Sequence, residues 1–254
     1  MKSSWDLRIA RAGELLQTNS AVAELLKFYQ RLAGFQKTIY DSVAASDEHD
    51  VAALVRHFPA LLNLIHESGS PSLKQAAAAF AEVSPEERLE LLAVFWQHEV
   101  EGREMPAEYT FLASVMLQPF AEYLAERTNS STESSPPLCP FCGSKPQLAV
   151  LRPEGDGGKR FLVCSLCATE WVFRRVLCPN CAEENKDKLP IFIAKEFDYV
   201  RIDACDTCRT YIKSIDLTKN GNAIPVVDEL ATVSLNLWAQ ENNYQKLQAN
   251  LFGV

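Results

Sequence analysis

Apolar residues in the first half of the chain recur at the spacing of an amphipathic helix. Between residues 20 and 40 they return every three or four positions, as Leu25, Phe28, Tyr29, Leu32, Phe35 and Ile39. Such a stripe is more typical of a packed core than of a ligand site. The pattern predicts an all-helical N-terminal domain over residues 1–126.

Local signals mark two further helices in this half. Ser84 is followed by a proline at the first helical position and by Glu87 three residues after the cap, which is the pattern of a capping box. That helix is expected to reach about Val100. Another apolar helix is predicted over residues 107–126. Because proline lacks the amide N–H, we expect this helix to be kinked or interrupted near Pro119.

The pattern changes after a polar stretch at residues 127–137. This stretch contains no glycine, ends in Pro136 and Pro137, and is predicted to be an exposed linker between domains. Beyond it, short apolar runs bounded by turn residues predict β-strands. The runs predict two hairpins, of residues 147–152 with 160–163 and of residues 190–196 with 200–203, and one more strand over residues 211–217. Helical spacing then returns from Asp228 to about Asn250, with Asp228 as a candidate N-cap.

Four Cys-x-x-Cys turns contain all eight cysteines of the chain. Each turn can present two thiolates to one ion, and a second turn completes a tetrahedron of ligands. The first two turns are separated by 21 residues, the last two by 23, and the two pairs by ten. The economical pairing predicts two four-cysteine metal sites, one in residues 138–176 and one in residues 177–225: Cys139, Cys142, Cys164 and Cys167, and then Cys178, Cys181, Cys205 and Cys208.

Two other uses of the cysteines stay open at this point. The four turns could pair in an interleaved order, or the thiols could form disulfides. The N-terminus has no apolar signal core, and no run approaches the roughly 18 apolar residues of a membrane span, so we expect a cytoplasmic protein without a membrane span. Cytoplasmic thiols stay reduced, which favours metal binding over disulfides.

Charge and motif content disfavour two common functions. The formal net charge is −8, and residues 138–225 carry only 13 Lys and Arg against 11 Asp and Glu, so the basic excess of a nucleic-acid-binding ribbon is missing. The chain has no glycine-rich phosphate loop and no nucleophile elbow, and none of its four histidines has metal-ligand spacing. We therefore expect neither nucleic-acid binding nor an ordinary enzyme.

Several short motifs occur together from Cys139 onwards. Four carry cysteine turns or lead into them, and two lie near the C-terminus: Cys139-Pro-Phe-Cys-Gly143, Arg160-Phe-Leu-Val-Cys-Ser-Leu-Cys-Ala-Thr-Glu-Trp171, Arg175-Val-Leu-Cys178, Cys205-Asp-Thr-Cys-Arg-Thr-Tyr-Ile-Lys213, Asp228-Glu-Leu-Ala231 and Asn250-Leu-Phe-Gly253. With these motifs the chain resembles the formate dehydrogenase accessory protein family (FdhE-like). The helical half agrees more weakly, through Phe28-Tyr29 and Leu117-Gln-Pro119. One departure is Glu229, where the family usually has an aspartate.

The resemblance implies a protein that is not an enzyme itself but is needed for active formate dehydrogenase. Its partner would be the molybdenum- or tungsten-containing catalytic subunit, on which it would dock before assembly or export. The family is described as rubredoxin-like and iron-binding, whereas four-cysteine spacing by itself accepts zinc equally well. The expected cofactors are therefore two metal ions, iron or zinc.

Seven further residues are candidates for a partner-binding face near the two sites: Arg160, Glu170, Trp171, Asp206, Tyr211, Lys213 and Asp228. Each also has a structural alternative. Trp171 could pack beside the first metal, Glu170 could pair with a nearby arginine, and Asp206 could hold its turn through its own backbone. Exposure of the charged members would favour partner binding.

Together these patterns predict an α+β chain. An all-helical N-terminal domain would precede two tandem rubredoxin-like or zinc-ribbon modules, with a C-terminal helix and tail at residues 226–254. Alternative functions are a rubredoxin-like electron carrier or a thiol–disulfide oxidoreductase, since Cys-x-x-Cys pairs can exchange disulfides. A zinc-ribbon nucleic-acid-binding protein is the less favoured third alternative.

Overall fold

The computed structural model describes residues 3–46, 49–97, 105–128, 136–155 and 157–253. The chain divides into two compact units, residues 1–127 and residues 128–254. All eight cysteines lie in the second unit. None of the helices in the described residues combines the length and apolarity that crossing a membrane requires.

The described part of the first unit is helical, as the apolar periodicity predicted. Short 3₁₀ segments at Ser20–Val22 and Val51–His57 precede the second and third helices. The α-helices are α1 Ser4–Thr18, α2 Ala23–Ala44, α3 Phe58–Ser68, α4 Pro71–Ala81, α5 Pro85–Trp96 and α6 Ala107–Glu126. The capping box before α5 is present, with Glu87 N–H donating to Ser84 Oγ at 3.2 Å and Ser84 N–H donating to Glu87 Oε2 at 3.0 Å. Helix α5 ends at Trp96, and the predicted end at Val100 lies outside the described residues.

Pro119 lies inside α6, which continues through it, so of the predicted kink or interruption the interruption does not occur. A proline has no N–H to donate to the carbonyl four residues earlier, which here belongs to Val115. The buried Gln36 side chain on α2 donates Nε2–H to that carbonyl at 3.1 Å and to Gln118 Oε1 at 3.0 Å. A side chain of a neighbouring helix therefore replaces the missing backbone bond.

The second unit is built on one seven-stranded sheet. Its strands are β1 Pro146–Glu154, β2 Gly157–Cys164, β3 Glu170–Val172, β4 Ile191–Ile193, β5 Val200–Ala204, β6 Thr210–Asp216 and β7 Gln245–Lys246. Their order is β3-β2-β1-β6-β5-β4, and β7 pairs with β6. Both predicted hairpins are present, because β1 pairs antiparallel with β2 and β4 pairs antiparallel with β5.

The two predicted metal modules are joined through the middle of this sheet. Strand β1 pairs in parallel with β6, with Ala149 opposite Ser214 and Leu151 opposite Asp216. The buried core is also common to both halves, since residues of the first hairpin pack in one cluster with residues of β5 and β6: Leu148, Val150 and Val163 with Val200, Ile202 and Ile215. Neither module has to supply a complete core from about 40 residues of its own.

The C-terminal segment forms two short helices, α7 Pro225–Ala231 and α8 Val233–Glu241, followed by β7. The prediction of one helix from Asp228 to about Asn250 was wrong in its bounds, and Asp228 is not the N-cap. Helix α7 starts at Pro225, and the buried Asp228 carboxylate accepts a hydrogen bond from Ile224 N–H at 2.7 Å and another from Tyr199 Oη–H at 2.8 Å. Asp228 thus accepts from the amide of the N-cap residue, Ile224, while lying inside the helix.

Candidate metal centres

The eight cysteines gather into two groups of four. Within each group the ligand atoms lie within 4.8 Å of one another, and each group could hold a metal ion: Cys139, Cys142, Cys164 and Cys167, and Cys178, Cys181, Cys205 and Cys208. This is the economical pairing expected from the spacing, and the interleaved order does not occur. The first group lies at the end of β2, and the second lies at the turn between β5 and β6.

All four Cys-x-x-Cys turns share one backbone geometry. The N–H of the first cysteine donates to the carbonyl five residues later at 2.9–3.0 Å: Cys139 to Ser144, Cys164 to Thr169, Cys178 to Glu183 and Cys205 to Thr210. The residue after the second cysteine is left-handed in every turn, with φ between 54° and 74°: Gly143, Ala168, Ala182 and Arg209. A left-handed residue other than glycine costs about 1–2 kcal/mol. Three turns therefore tolerate backbone strain that folds the chain around the sulfurs.

Hydrogen-bond donors surround the sulfur atoms. Backbone N–H groups approach the first cysteine of two turns: Leu166 N–H donates to Cys164 Sγ and Asn180 N–H to Cys178 Sγ, both at 3.4 Å. Hydroxyls placed two residues after the second cysteine lie 3.0 Å from its sulfur in two turns, Thr169 from Cys167 and Thr210 from Cys208, and can donate to it. In a third turn the Cys142 thiol donates to Ser144 Oγ at 3.4 Å. Such donors stabilise thiolate charge and orient metal ligands.

The distances between sulfurs suit a tetrahedral ion. Sγ···Sγ contacts are 3.3–3.5 Å in the first group and 3.6–3.7 Å in the second. A disulfide would require about 2.05 Å, and all eight cysteines are free thiols. Metal–sulfur bonds of about 2.3 Å place the sulfurs of a tetrahedron about 3.8 Å apart. Four thiolates are a donor set for zinc and for iron alike.

Crowding of the sulfurs changes their acidity. Hydrogen bonding with Cys142 lowers the pKa of Cys139, whereas hydrogen bonding with Cys139 raises the pKa of Cys164. In the second group, burial opposes ionisation of Cys208, but hydrogen bonding with Thr210 helps to lower its pKa to about 6. Thiolates this close repel one another, so full ionisation of either group calls for a cation between them.

The two groups differ in their exposure to solvent. Cys139, Cys164 and Cys167 are buried, whereas Cys181 of the second group is exposed. The position two residues after Cys181 holds Glu183, whereas the other three turns have a hydroxyl residue there. The Glu183 carboxylate accepts a hydrogen bond from Thr207 Oγ1 at 2.6 Å. The second centre therefore has one solvent-facing corner.

Family comparisons match the half of the chain that carries these centres. The FdhE central domain matches residues 138–175, and the FdhE C-terminal domain matches residues 176–252. Over 208 residues the chain is 35% identical to the Protein FdhE homolog of Aquifex aeolicus, covering 81% of this chain and 72% of that protein. The chain belongs to the FdhE family.

Two further FdhE proteins show how the similarity is distributed. The Protein FdhE homolog of Edwardsiella ictaluri is 36% identical over 115 residues, which are 45% of this chain and 37% of that protein. The crystal structure of the FdhE protein from Pseudomonas aeruginosa aligns with a TM-score of 0.76 at 22% identity, covering 99% of this chain and 96% of that one. The second comparison shows that the fold extends over the helical unit as well as the cysteine-rich unit.

Five of the seven candidate partner-binding residues of this FdhE chain are buried. Each exposes 3% or less of its surface: Arg160, Trp171, Tyr211, Lys213 and Asp228. A buried side chain cannot touch a partner on the present surface, so the structural alternative suits these five better. Trp171, for example, donates its indole N–H to the carbonyl of Pro136 at 2.9 Å.

Glu170 and Asp206 keep 28% and 36% of their side chains exposed. Glu170 accepts two hydrogen bonds of 2.7 Å from the Arg152 guanidinium, which is the arginine pair that the sequence suggested. Asp206 accepts hydrogen bonds from Tyr244 Oη–H at 2.6 Å and from Arg209 Nη1 at 2.9 Å. Its side chain thus joins the last cysteine turn to the C-terminal segment, rather than holding the turn through its own backbone.

Arg160 connects the strands of the two centres. From β2 it donates Nη1–H to the carbonyls of Arg174 at 3.2 Å and Leu177 at 3.3 Å, next to Cys178. Its Nη2 lies 3.4 Å from Asp203 Oδ2 on β5. Burial lowers the pKa of Arg160, although the charge of Asp203 opposes this effect.

A buried ionic cluster around Glu229 was missed by sequence reasoning. Lys213 Nζ lies 2.8 Å from Glu229 Oε1, Lys246 contacts the same oxygen, and Asn250 Nδ2 donates to Glu229 Oε2 at 3.0 Å. Burial opposes ionisation of Glu229, but the two lysines lower its pKa to about 2. Burial lowers the pKa of Lys213 to about 8. The only sequence signal was that three of these residues, Lys213, Glu229 and Asn250, lie within the family motifs.

The histidines take no part in either group, as far as the structure describes them. His49, His57 and His66 lie in the helical unit, and none of them belongs to either group. His98 lies outside the described residues.

Proposed function

We propose that this chain is an accessory protein that docks on the catalytic subunit of a formate dehydrogenase and is required for that enzyme to become active. The observation that carries the proposal is a pair of four-cysteine groups, built from one turn geometry used four times, in a chain of the FdhE family. We propose an accessory rather than a catalytic role because the chain belongs to the FdhE family.

We also propose that the eight cysteines bind two metal ions, either iron or zinc. The sulfur spacing and the N–H and hydroxyl donors around the thiolates support this assignment. An iron ion would supply one-electron redox chemistry, which a zinc ion would not. The protein's own part is to hold four thiolates at each site and to neutralise their charge with directed donors.

Metal analysis of anaerobically purified protein, with an absorption spectrum, tests the metal assignment. We expect about two ions per chain and a loss of about one ion in Cys164→Ser, because a four-ligand site loses most of its affinity with one thiolate. Ser165→Ala is the matched control, since it changes the neighbouring residue and leaves every thiol in place. Full metal retention in Cys164→Ser would contradict the four-ligand assignment.

The accessory role is tested in cells that lack the gene for this chain. We expect formate dehydrogenase activity to be lost while the catalytic polypeptide is still made, and to return with the wild-type protein or Ser165→Ala but not with Cys164→Ser. Normal activity in the deletion strain would show that the proposed role is wrong. Docking is tested separately, by capturing the catalytic subunit on tagged, metal-loaded protein.

A further inference from the structure

A cavity of about 220 Å³ opens beside the second cysteine group. Cys178 and Cys205 form part of its wall, so a bound segment would touch two of the proposed metal ligands. The cavity is smaller than the pockets of about 300–1,000 Å³ that typically bind drug-sized ligands. Its size suits one or two side chains of a peptide rather than a free cofactor.

The wall of this cavity is mainly apolar and partly open to solvent. Val176 and Ile191 line it and are 45% and 53% exposed, and further apolar lining residues include Leu177, Leu189 and Leu247. Large aliphatic side chains at an open cavity are exposed to water unless another surface covers them. The wall therefore favours an apolar segment as occupant.

Charged residues at the cavity indicate a second property of its occupant. Arg160 lies inside the wall with its Nη2 3.4 Å from Asp203 Oδ2, so its charge has a partner. Arg175 and Lys186 line the same cavity and are exposed, and no salt bridge among the described residues joins either of them to a carboxylate. Within the described residues, the hydrogen bond of Arg175 goes to the carbonyl of Gly158, at 3.2 Å. An acidic group on the occupant would be complementary to these two cations.

We infer that this cavity, which we call the Ile191 groove, binds an apolar peptide segment that carries an acidic side chain and belongs to the catalytic subunit. The inference rests on the proposed function and assigns its docking surface. The apolar side chains of the segment enter between Val176 and Ile191, and its carboxylate lies near Arg175 and Lys186. Docking and the second metal centre would thereby share a wall at Cys178 and Cys205.

Two matched pairs of variants of the full-length, metal-loaded protein test the Ile191 groove. Ile191 lines the groove, whereas Ile193 lies two residues along the same strand, is 55% exposed and does not line it. Lys186 lines the groove, whereas Lys188 lies in the same 3₁₀ turn and does not. The dissociation constant of the purified catalytic subunit is measured for Ile191→Asp, Ile193→Asp, Lys186→Glu and Lys188→Glu at low and moderate salt.

We expect Ile191→Asp to weaken binding about tenfold or more and Ile193→Asp to change it less than about twofold. Lys186→Glu should weaken binding several-fold and reduce its dependence on salt, while Lys188→Glu should do neither. Lys186 is exposed, so Lys186→Glu still tests the groove if Ile191→Asp loses metal. Equal binding by all four variants would overturn the groove but not the docking role. Failure of the wild-type protein to bind would overturn the docking role itself.

Discussion

At the scale of single residues, the Glu229 cluster shows how burial decides the role of a charged group. Two lysines share this one carboxylate, and neither Lys213 nor Glu229 has any exposed side-chain surface. Because the cluster joins β6 to α7 and β7, its ion pairs hold the C-terminal segment on the sheet. Removing one partner of a buried pair leaves a charge without compensation and costs about 3–5 kcal/mol.

Glu229→Gln is therefore expected to lower the free energy of unfolding by about 3–5 kcal/mol at neutral pH. The folded-state pKa of about 2 lies below the ordinary value of 4.5, so the carboxylate stabilises the fold fully above about pH 5 and loses this effect as the pH falls towards 2. The difference in free energy of unfolding between wild type and Glu229→Gln, measured with urea, should shrink over that range. Metal release at low pH affects both proteins and cancels in the difference.

Glu154→Gln is the control for this measurement. It removes a carboxylate whose pair with Lys159 is largely exposed, so it should change stability little at any pH. A loss of stability in Glu229→Gln that stays constant from pH 7 to pH 2 would contradict the assignment of the effect to the ionised carboxylate.

At the scale of elements, helix α6 depends on a donor from another helix. Pro119 removes the amide that would bond Val115, and Gln36 on α2 takes its place. We expect Gln36→Leu to destabilise the protein by about 1–3 kcal/mol, because a buried carbonyl loses its partner. In the Pro119→Ala background a backbone N–H is available again, so the same substitution should cost less, with a coupling of about 1 kcal/mol or more.

Gln30→Leu is the matched control for the α6 experiment. Gln30 also donates its side-chain N–H to a helix carbonyl, that of Ile9 at 3.1 Å, but α1 has a backbone donor for this carbonyl at Gly13. Gln30→Leu should therefore lower the free energy of unfolding less than Gln36→Leu does, and by the same amount whether residue 119 is proline or alanine. Equal costs of Gln36→Leu with and without Pro119, in chemical unfolding, would show that the side chain does not replace the backbone bond.

At the scale of the whole molecule, the parallel pairing of β1 with β6 joins the strands of the two candidate metal centres in one sheet. Hydrophobic residues of both hairpins share a single core cluster, so loosening one hairpin exposes surface of the other. Metal bound at either cysteine group would contribute folding energy to this sheet. Stability should therefore be shared across the sheet rather than confined to one module.

Hydrogen exchange of full-length Cys164→Ser tests this coupling. We expect amide exchange to rise about tenfold or more in β5 and β6 as well as in β1 and β2, which corresponds to a loss of about 1.4 kcal/mol in local stability. Cys205→Ser should produce the reciprocal effect on β1 and β2. Increased exchange restricted to residues 138–176 in the first variant would indicate two independent modules.

The sequence by itself determined the features that depend on neighbouring residues. Helical periodicity and the Ser84 capping box act within a few turns of chain, so the helical half and the start of α5 were predicted correctly. A Cys-x-x-Cys turn is equally local, and the matched intervals of 21 and 23 residues gave one economical pairing, which the structure has. The family motifs extended the prediction because they contain these same turns.

Only the tertiary structure decided the features that arise between distant segments. Gln36 and Val115 are 79 positions apart, and no local pattern shows that one completes the hydrogen bonding of the other across Pro119. The burial of Arg160, Lys213 and Asp228 follows from the joining of β1 to β6 and the packing of α7, which short strands do not specify. Local geometry therefore encoded the metal-binding turns, whereas long-range packing determined which charged residues reach the surface and which hold the sheet together.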